Sequence, residues 1–468
     1  MKLHIRSINP ADGSLVWEGP AASVPDIEHA AARARRALAD WSSRTFEERA
    51  GVLRRFAEVL EDKSEELAIL IAQEIGKPLW EARTEVSAMA GKVEISISAH
   101  ETRCHEFPGG KARTRFRPHG VLVVLGPYNF PGHLPNGHIC PALLAGNVVL
   151  FKPSDLAPAT ADFTCSCWLE AGLPGEVLQL VQGGPETAEN LVGHAEVDGV
   201  LFTGSARTGK LLARRFAETP GKVLALEMGG NNPLIVDSGH IGDLSAAATV
   251  TLHSAFLSAG QRCTCARRLI LVESGSSGPF LDELLQQAAA LVVDDPFADP
   301  QPFMGPLASP DFPARILQAQ QKLLDSGGHG LLQARSLRPG TGFLTPAVLD
   351  VGQVRNLPDE EVFGPLLQLI RVPDLEEAVR SANRTRYGLA SGILTDDDPR
   401  FEYAFARLRA GIINRNVPLT GASSAAPFGG IGDSGNLRPS AFFAADYCSY
   451  PVASISSATC QAPAPLPG

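Results

Sequence analysis

From Pro25 to about Leu70, apolar positions recur every three to four residues beside charged ones. The segment Phe46-Glu-Glu-Arg-Ala-Gly-Val-Leu-Arg-Arg-Phe-Ala-Glu-Val-Leu60 shows this pattern, which predicts helices with one buried face. Gly76-Lys-Pro78 interrupts it, and a further helix is predicted over roughly 80–100. These helices display no obvious chemistry and read as a scaffold layer. Residues 1–20 read as a short strand and turn, and 103–118 as a polar, basic, extended segment.

At Gly120 the periodicity changes. Short apolar runs of strand length, each closed by a polar or glycine-rich turn, now alternate with helix-length segments. The runs are Val121–Leu125, Asn147–Phe151, Val177–Val181, Gly199–Phe202 and Val223–Glu227. Buried runs in this rhythm predict a parallel, doubly wound α/β sheet. Ligands of such sheets bind beyond the carboxyl ends of the strands, where these turns fall. A second α/β block is predicted from about 231 to 430, with strands near 268–272, 365–371 and 391–394. Tyr447–Ile455 reads as an extra strand, and the Ala/Pro-rich residues after it as a loose tail.

Composition narrows the function. The 468 residues allow two or three domains and a cleft between them. With 51 acidic and 41 basic side chains and no basic block, nucleic acid is not an expected partner. No apolar run reaches transmembrane length, and the amino terminus lacks the apolar region of a signal peptide, so no membrane association and a cytoplasmic location are expected. Two Cys-x-Cys pairs, at 165/167 and 263/265, have no further ligands at zinc-site spacing, so no metal is expected.

One cysteine stands apart. Asp243 is suited to cap a helix over 243–256, Gly260 to end it, and Arg268–Val272 reads as a buried strand. Cys263 therefore falls on a short turn between two buried elements, where a side chain can be aimed into a cleft. Arg262 beside it could favour the nucleophilic thiolate. Taken alone, the stretch equally fits an inert buried thiol. Cys265 reads as packing.

Seven motifs occur in order along the chain: Tyr128-Asn-Phe-Pro131, Lys152-Pro-Ser-Asp155, Phe202-Thr-Gly-Ser205, Leu226-Glu-Met-Gly-Gly230, Gly260-Gln-Arg-Cys263, Glu361-Val-Phe-Gly-Pro365 and Pro427-Phe-Gly-Gly430. In order and spacing the chain resembles the aldehyde dehydrogenases over nearly its whole length. The resemblance implies a doubly wound NAD-binding domain (1–102 and 119–230) and an α/β catalytic domain (231–446). It also implies a small β arm and tail (103–118 and 447–468) through which chains assemble as a homodimer or dimer of dimers.

By the same resemblance, Cys263 is the nucleophile, Asn129 an oxyanion donor and Glu227 the base that hydrolyses the thioester. Lys152, Asp155, Gly204, Ser205, Gly209, Glu361 and Phe363 are implied at the cofactor. The turn at Gly204-Ser205 departs from the G-x-G-x-x-G fingerprint but still offers backbone N–H groups at a helix start. A carboxylate at Asp155 would accept ribose hydroxyls and repel a 2′-phosphate, favouring NAD.

Within the family, Gly230-Asn-Asn-Pro233, Gly260-Gln-Arg-Cys-Thr-Cys265 and Ile412–Ser423 look most like members acting on an acidic semialdehyde with two carboxylates. Arg262 and Arg415 suit those carboxylates, with His133 and Ser423 as further substrate contacts. Succinate semialdehyde or another carboxylated aldehyde is the second substrate expectation. A cysteine hydrolase would keep Cys263 and Glu227 without needing Lys152, Ser205 and Glu361. A silent nucleotide-binding relative would have lost Cys263 or Glu227.

Overall fold

The computed structural model describes residues 4–109 and 112–460; the tail from 461 lies outside the described residues. His4–Ile8 and Leu15–Pro20 pair antiparallel ahead of four helices. The helical stretch expected over 25–70 is three helices, Val24–Ser43, Phe46–Asp62 and Ser64–Ile75. The first break has a chemical cause. Thr45 and Glu48 form a capping box, which satisfies backbone N–H groups at a new helix start. The fourth helix, Leu79–Arg103, runs further than expected, so extended structure begins only at Phe107.

The first large sheet is wholly parallel. Its order is Leu178–Leu180, Val148–Lys152, Val121–Leu125, Gly199–Gly204, Val223–Met228. The chain winds outward from Val121–Leu125 in one direction, then returns to add Gly199–Gly204 on the other side. The crevice at that reversal, above the carboxyl ends of both strands, is where a doubly wound sheet takes a ligand. Aromatic and aliphatic side chains from the amino-terminal helices, among them Trp41, Phe56 and Val93, close one continuous core with this sheet.

After Met228 the chain crosses into a seven-stranded sheet. Its order is His329–Leu332, Ala347–Asp350, Leu366–Val372, Ala266–Val272, Asn232–Val236, Ala390–Leu394, Ile412–Arg415, parallel except for the first pair. Asn232–Val236 is fully buried yet escapes a reading of the sequence, because its apolar run is short and Pro233 sits within it. A three-stranded antiparallel sheet joins Ser449–Ile455 to Ala112–Pro118 and then to Phe107–Gly109. Among the described residues no helix is long and apolar enough to cross a membrane.

Candidate active site

The Cys263 loop is shaped by backbone conformation first. Asp243 caps helix Leu244–Phe256 by accepting from Ala246 N at 2.9 Å. Ser258 and Ala259 then adopt φ of 54° and 51°, a left-handed conformation that is costly for residues with a Cβ. Gly260 follows at φ 73°, and a Cβ there would stand 2.3 Å from Gly364 O and 2.8 Å from Pro365 N. The loop can press against the Gly364–Pro365 backbone because this residue is glycine. Asn232 Nδ2 donates to Cys263 O at 2.7 Å and Cys265 O at 2.9 Å. The Asn-Asn-Pro segment therefore fixes the backbone on which Cys263 stands. Cys265 is fully buried, its thiol directed to Leu257 O.

Asn129 and Glu227 reach this loop from the other sheet. Asn129 follows strand Val121–Leu125 and donates from Nδ2 to Gln261 O at 2.8 Å. Glu227 stands one residue before the end of strand Val223–Met228; burial raises its carboxyl to about 8, and the Ser440 hydrogen bond acts in the opposite sense. Among the described residues Glu227 Oε1 has no partner, while Oε2 lies 2.9 Å from Ser440 Oγ. The same hydroxyl lies 3.0 Å from Phe428 O. The Ser440 hydroxyl has one hydrogen to share between Glu227 Oε2 and Phe428 O, and given to Glu227 it favours the ionised carboxylate.

Burial also raises the Cys263 thiol above its ordinary range, with the Glu227 and Glu361 carboxylates acting in the same sense. The cation that opposes this is Arg267, not Arg262. Arg262 instead donates from Nη2 to Glu81 at 2.5 Å and from Nε to Ser258 Oγ at 2.9 Å, with its guanidinium over Phe130. The expected help from Arg262 to the thiolate is thus corrected: its charge is answered by a fully buried carboxylate. Arg267, which no motif singled out, is itself fully buried and donates to the carbonyls of Gly260 and Arg262, bracing the loop from below.

Cys263, Arg262, His133 and Ser423 line one cavity of about 210 Å³, together with Lys92, His138, Thr203 and Ser440. His133 and His138 are both lowered to about 3, chiefly by burial, and stand neutral. Arg415 is not in this cavity. Its guanidinium meets Asp398 at 2.6 Å and Thr395 O at 3.1 Å and lies over Phe401, which corrects the expectation that it faces the aldehyde.

The residues expected at the cofactor cluster at the carboxyl ends of the first sheet. Lys152 closes its strand, buried, with Nζ donating to Pro153 O at 2.7 Å; Asp155 is exposed beyond it. Ser205 caps helix Ala206–Phe216 through Thr208 N. A Cβ at Gly209 would meet Met228 Sδ at 2.1 Å, so glycine lets this helix settle onto the strand end. Glu361 accepts from Gly230 N at 3.2 Å, and a Cβ at Gly229 would collide with its carboxylate. Burial raises Glu361 to about 7, with Arg267 acting in the opposite sense. Phe363 stands edge-on to Tyr128.

Ser440, Arg267, Lys92 and the Glu81/Glu85 pair were not found by motif. Lys92 did leave a trace in the sequence. It falls three residues after Met89 and one before Val93, on the apolar stripe of its helix.

Fold and site define an aldehyde-oxidising class, and the chain belongs to the aldehyde dehydrogenase family: that family's model matches residues 2–449. N-succinylglutamate 5-semialdehyde dehydrogenase of Paraburkholderia xenovorans is 52% identical over 462 residues, 98% of this chain and 94% of that protein. The protein of the same name from Burkholderia multivorans is 51% identical over 464 residues, 98% of this chain and 95% of that one. Among solved structures, NAD-dependent aldehyde dehydrogenase from Sinorhizobium meliloti superposes with a TM-score of 0.92 at 27% identity, covering 99% of this chain and 93% of that one. Glyceraldehyde-3-phosphate dehydrogenase GapN from Methanocaldococcus jannaschii, complexed with NADP, gives 0.90 at 28% identity, covering 97% and 99%.

Proposed function

We propose that this chain oxidises N-succinyl-L-glutamate 5-semialdehyde to N-succinyl-L-glutamate with NAD, a step of arginine catabolism, through a covalent intermediate on Cys263. The observation that carries the chemistry is the pairing of a cavity-lining thiol with a buried carboxyl, Glu227, that has one oxygen unpartnered among the described residues. The substrate follows from relatives of that name at 52% identity over 98% of the chain.

The Cys263 thiol loses its proton to solvent, the sulfur adds to the aldehyde carbon, and the carbonyl π pair moves to oxygen. Asn129, whose amide has a second N–H beyond the one given to Gln261 O, would receive that oxyanion together with the Cys263 backbone N–H. The C–H bond then breaks, its electron pair leaves as hydride, and the carbonyl re-forms as a thioester. Bound NAD supplies the hydride acceptor. Glu227 takes a proton from water as the water oxygen attacks; the C–S bond breaks and Cys263 departs as thiolate.

The cofactor residues fit a dinucleotide. The Ser205-capped helix start offers backbone N–H groups to a diphosphate, and Lys152 and Asp155 suit ribose hydroxyls. The exposed Asp155 carboxylate disfavours a 2′-phosphate, which supports NAD over NADP. Glu361 suits the second ribose, with Phe363 beside it. We place the chain in the cytoplasm, and the three-stranded arm supports assembly as a dimer or dimer of dimers.

The test is NADH formation from N-succinylglutamate semialdehyde, succinate semialdehyde and butanal. The first should lead butanal in kcat/KM by at least about 100-fold, the scale that differential polar contacts deliver. Cys263→Ala should abolish turnover while still binding NAD. Equal kcat/KM for all three aldehydes overturns the substrate, and turnover by Cys263→Ala overturns the nucleophile.

A further inference from the structure

Among the described residues, Arg262 and Lys92 are the lysine and arginine side chains that line the cavity, and Arg262 is already matched, as is Lys77 behind the wall. Arg262 is paired with Glu81 at 2.5 Å, and Lys77, behind the wall, with Glu85 at 2.5 Å. Glu85 also accepts from the backbone N–H groups of Gly132 and His133, which fixes the turn carrying Asn129. These two pairs cancel. The histidines of the cavity are neutral, as burial dictates.

Lys92 is the exception. Its residue is 2% exposed, it lines the cavity, and among the described residues its ammonium has no hydrogen-bond or ion-pair partner. The facing groups on neighbouring elements are the thiols of Cys140 and Cys448, and burial raises both. The aliphatic stem runs past Gly137, where a Cβ would lie 3.9 Å from Lys92 Cε. A lysine is seldom buried without a partner, because removing an ammonium from water costs several kcal/mol unless an anion or hydrogen-bond acceptors replace it. Burial indeed lowers this one to about 8, still largely charged at neutral pH. The cavity therefore carries an unanswered positive charge at a fixed place.

We propose that Lys92 is the counter-ion for a substrate carboxylate remote from the aldehyde, and so a specificity-determining residue of this site. The inference deepens the dicarboxylate substrate reading and rests on it for the identity of the anion. It replaces the part expected of Arg262 and Arg415, one neutralised and the other outside the cavity. The carboxylate would supply the counter-charge that no neighbouring side chain gives the ammonium. An aldehyde without one would displace water from the ammonium and return no charge to it. Selectivity then arises from the penalty on the wrong substrate as much as from attraction to the right one.

The experiment compares wild-type enzyme with Lys92→Met, Lys92→Gln and Lys92→Arg, using N-succinylglutamate semialdehyde, succinate semialdehyde and butanal. The readout is the ratio of kcat/KM for a carboxylated aldehyde over butanal. In Lys92→Met and Lys92→Gln the ratio should fall by about 10- to 100-fold, the range for a hydrogen bond to a charged group. The loss should appear mainly in KM, and Lys92→Arg should keep most of the ratio. A ratio that does not move, whether both rates fall or neither does, overturns the assignment. If the neutral variants do not fold, Lys92→Arg decides. A ratio maintained there while succinate, as a competitive inhibitor, binds as in wild type supports the charge; a ratio lost to the butanal level overturns it. The wild-type ratio alone reports on the substrate reading, and the change on mutation reports on Lys92, so the two fail separately.

Discussion

Burial keeps the Glu227 carboxyl neutral up to about pH 8, and among the described residues its one hydrogen-bond partner is Ser440. A base must be ionised to take a proton from water, so hydrolysis of the Cys263 thioester should accelerate as pH rises through about 8. The Ser440 hydrogen bond favours the ionised form, so Ser440→Ala should move that inflection to higher pH. Single-turnover decay of the acyl-enzyme between pH 6 and 10 measures both; an unmoved inflection in Ser440→Ala removes Ser440 from the proton balance, and a flat wild-type profile removes Glu227 as the base. For stability the same shift has the opposite sense. The fold favours the neutral carboxyl, so this contribution is full below the ordinary carboxylate range and is lost as pH rises through about 8. Cys263, Asn129 and Glu227 draw notice in the chain because each sits in a compact local motif. Ser440 could not: it lies 213 residues from Glu227, in a stretch with no motif of its own, and only the fold joins them.

The helix Leu79–Arg103 shows why a correct element can still hide its role. Its existence was legible in the sequence, yet it read as scaffold with no obvious chemistry, charge on a helix being ordinarily solvated. Glu81, Glu85 and Lys92 in fact point inward among Val86, Met89 and Val93. Their partners lie elsewhere in the chain: Arg262 is 181 residues from Glu81. Local spacing carries no information about such a pair. Replacing Glu81 with Gln would leave Arg262 buried without its counter-charge, which breaks a buried pair at a cost of about 3–5 kcal/mol. Urea unfolding at fixed protein concentration should show a lower midpoint with little change in slope. Because Ser258 also loses its anionic acceptor, the left-handed turn before Cys263 should loosen and turnover should fall with it. An unchanged midpoint would mean that the pair contributes nothing net.

Across the whole molecule, the strands of the first sheet and their parallel winding were readable because each strand is a clean apolar run ending in a polar or glycine-rich turn, while their order in space came only with the fold. The seven-stranded sheet was less so, since edge strands such as His329–Leu332 are short and half-exposed and draw their pairing from neighbours distant in sequence. The arm sheet raises a different question, because pairing within the chain does not cover it. Ser449–Ile455 forms one edge, with Ile455 79% and Tyr450 42% exposed, and Phe107 lies on the strand at the other. An open edge with exposed apolar side chains is a surface that proteins normally cover or blunt. A second copy of the chain would cover it. Ending the chain after Cys448 removes the edge strand while leaving every residue placed here at the thiol, the cavity and the cofactor. Light scattering should then fall from a multiple of the 49.6 kDa chain toward a single chain, and the exposed Ala112–Pro118 edge should make the truncated protein less soluble. A scattering mass unaffected by the truncation would place the subunit contact elsewhere on the molecule.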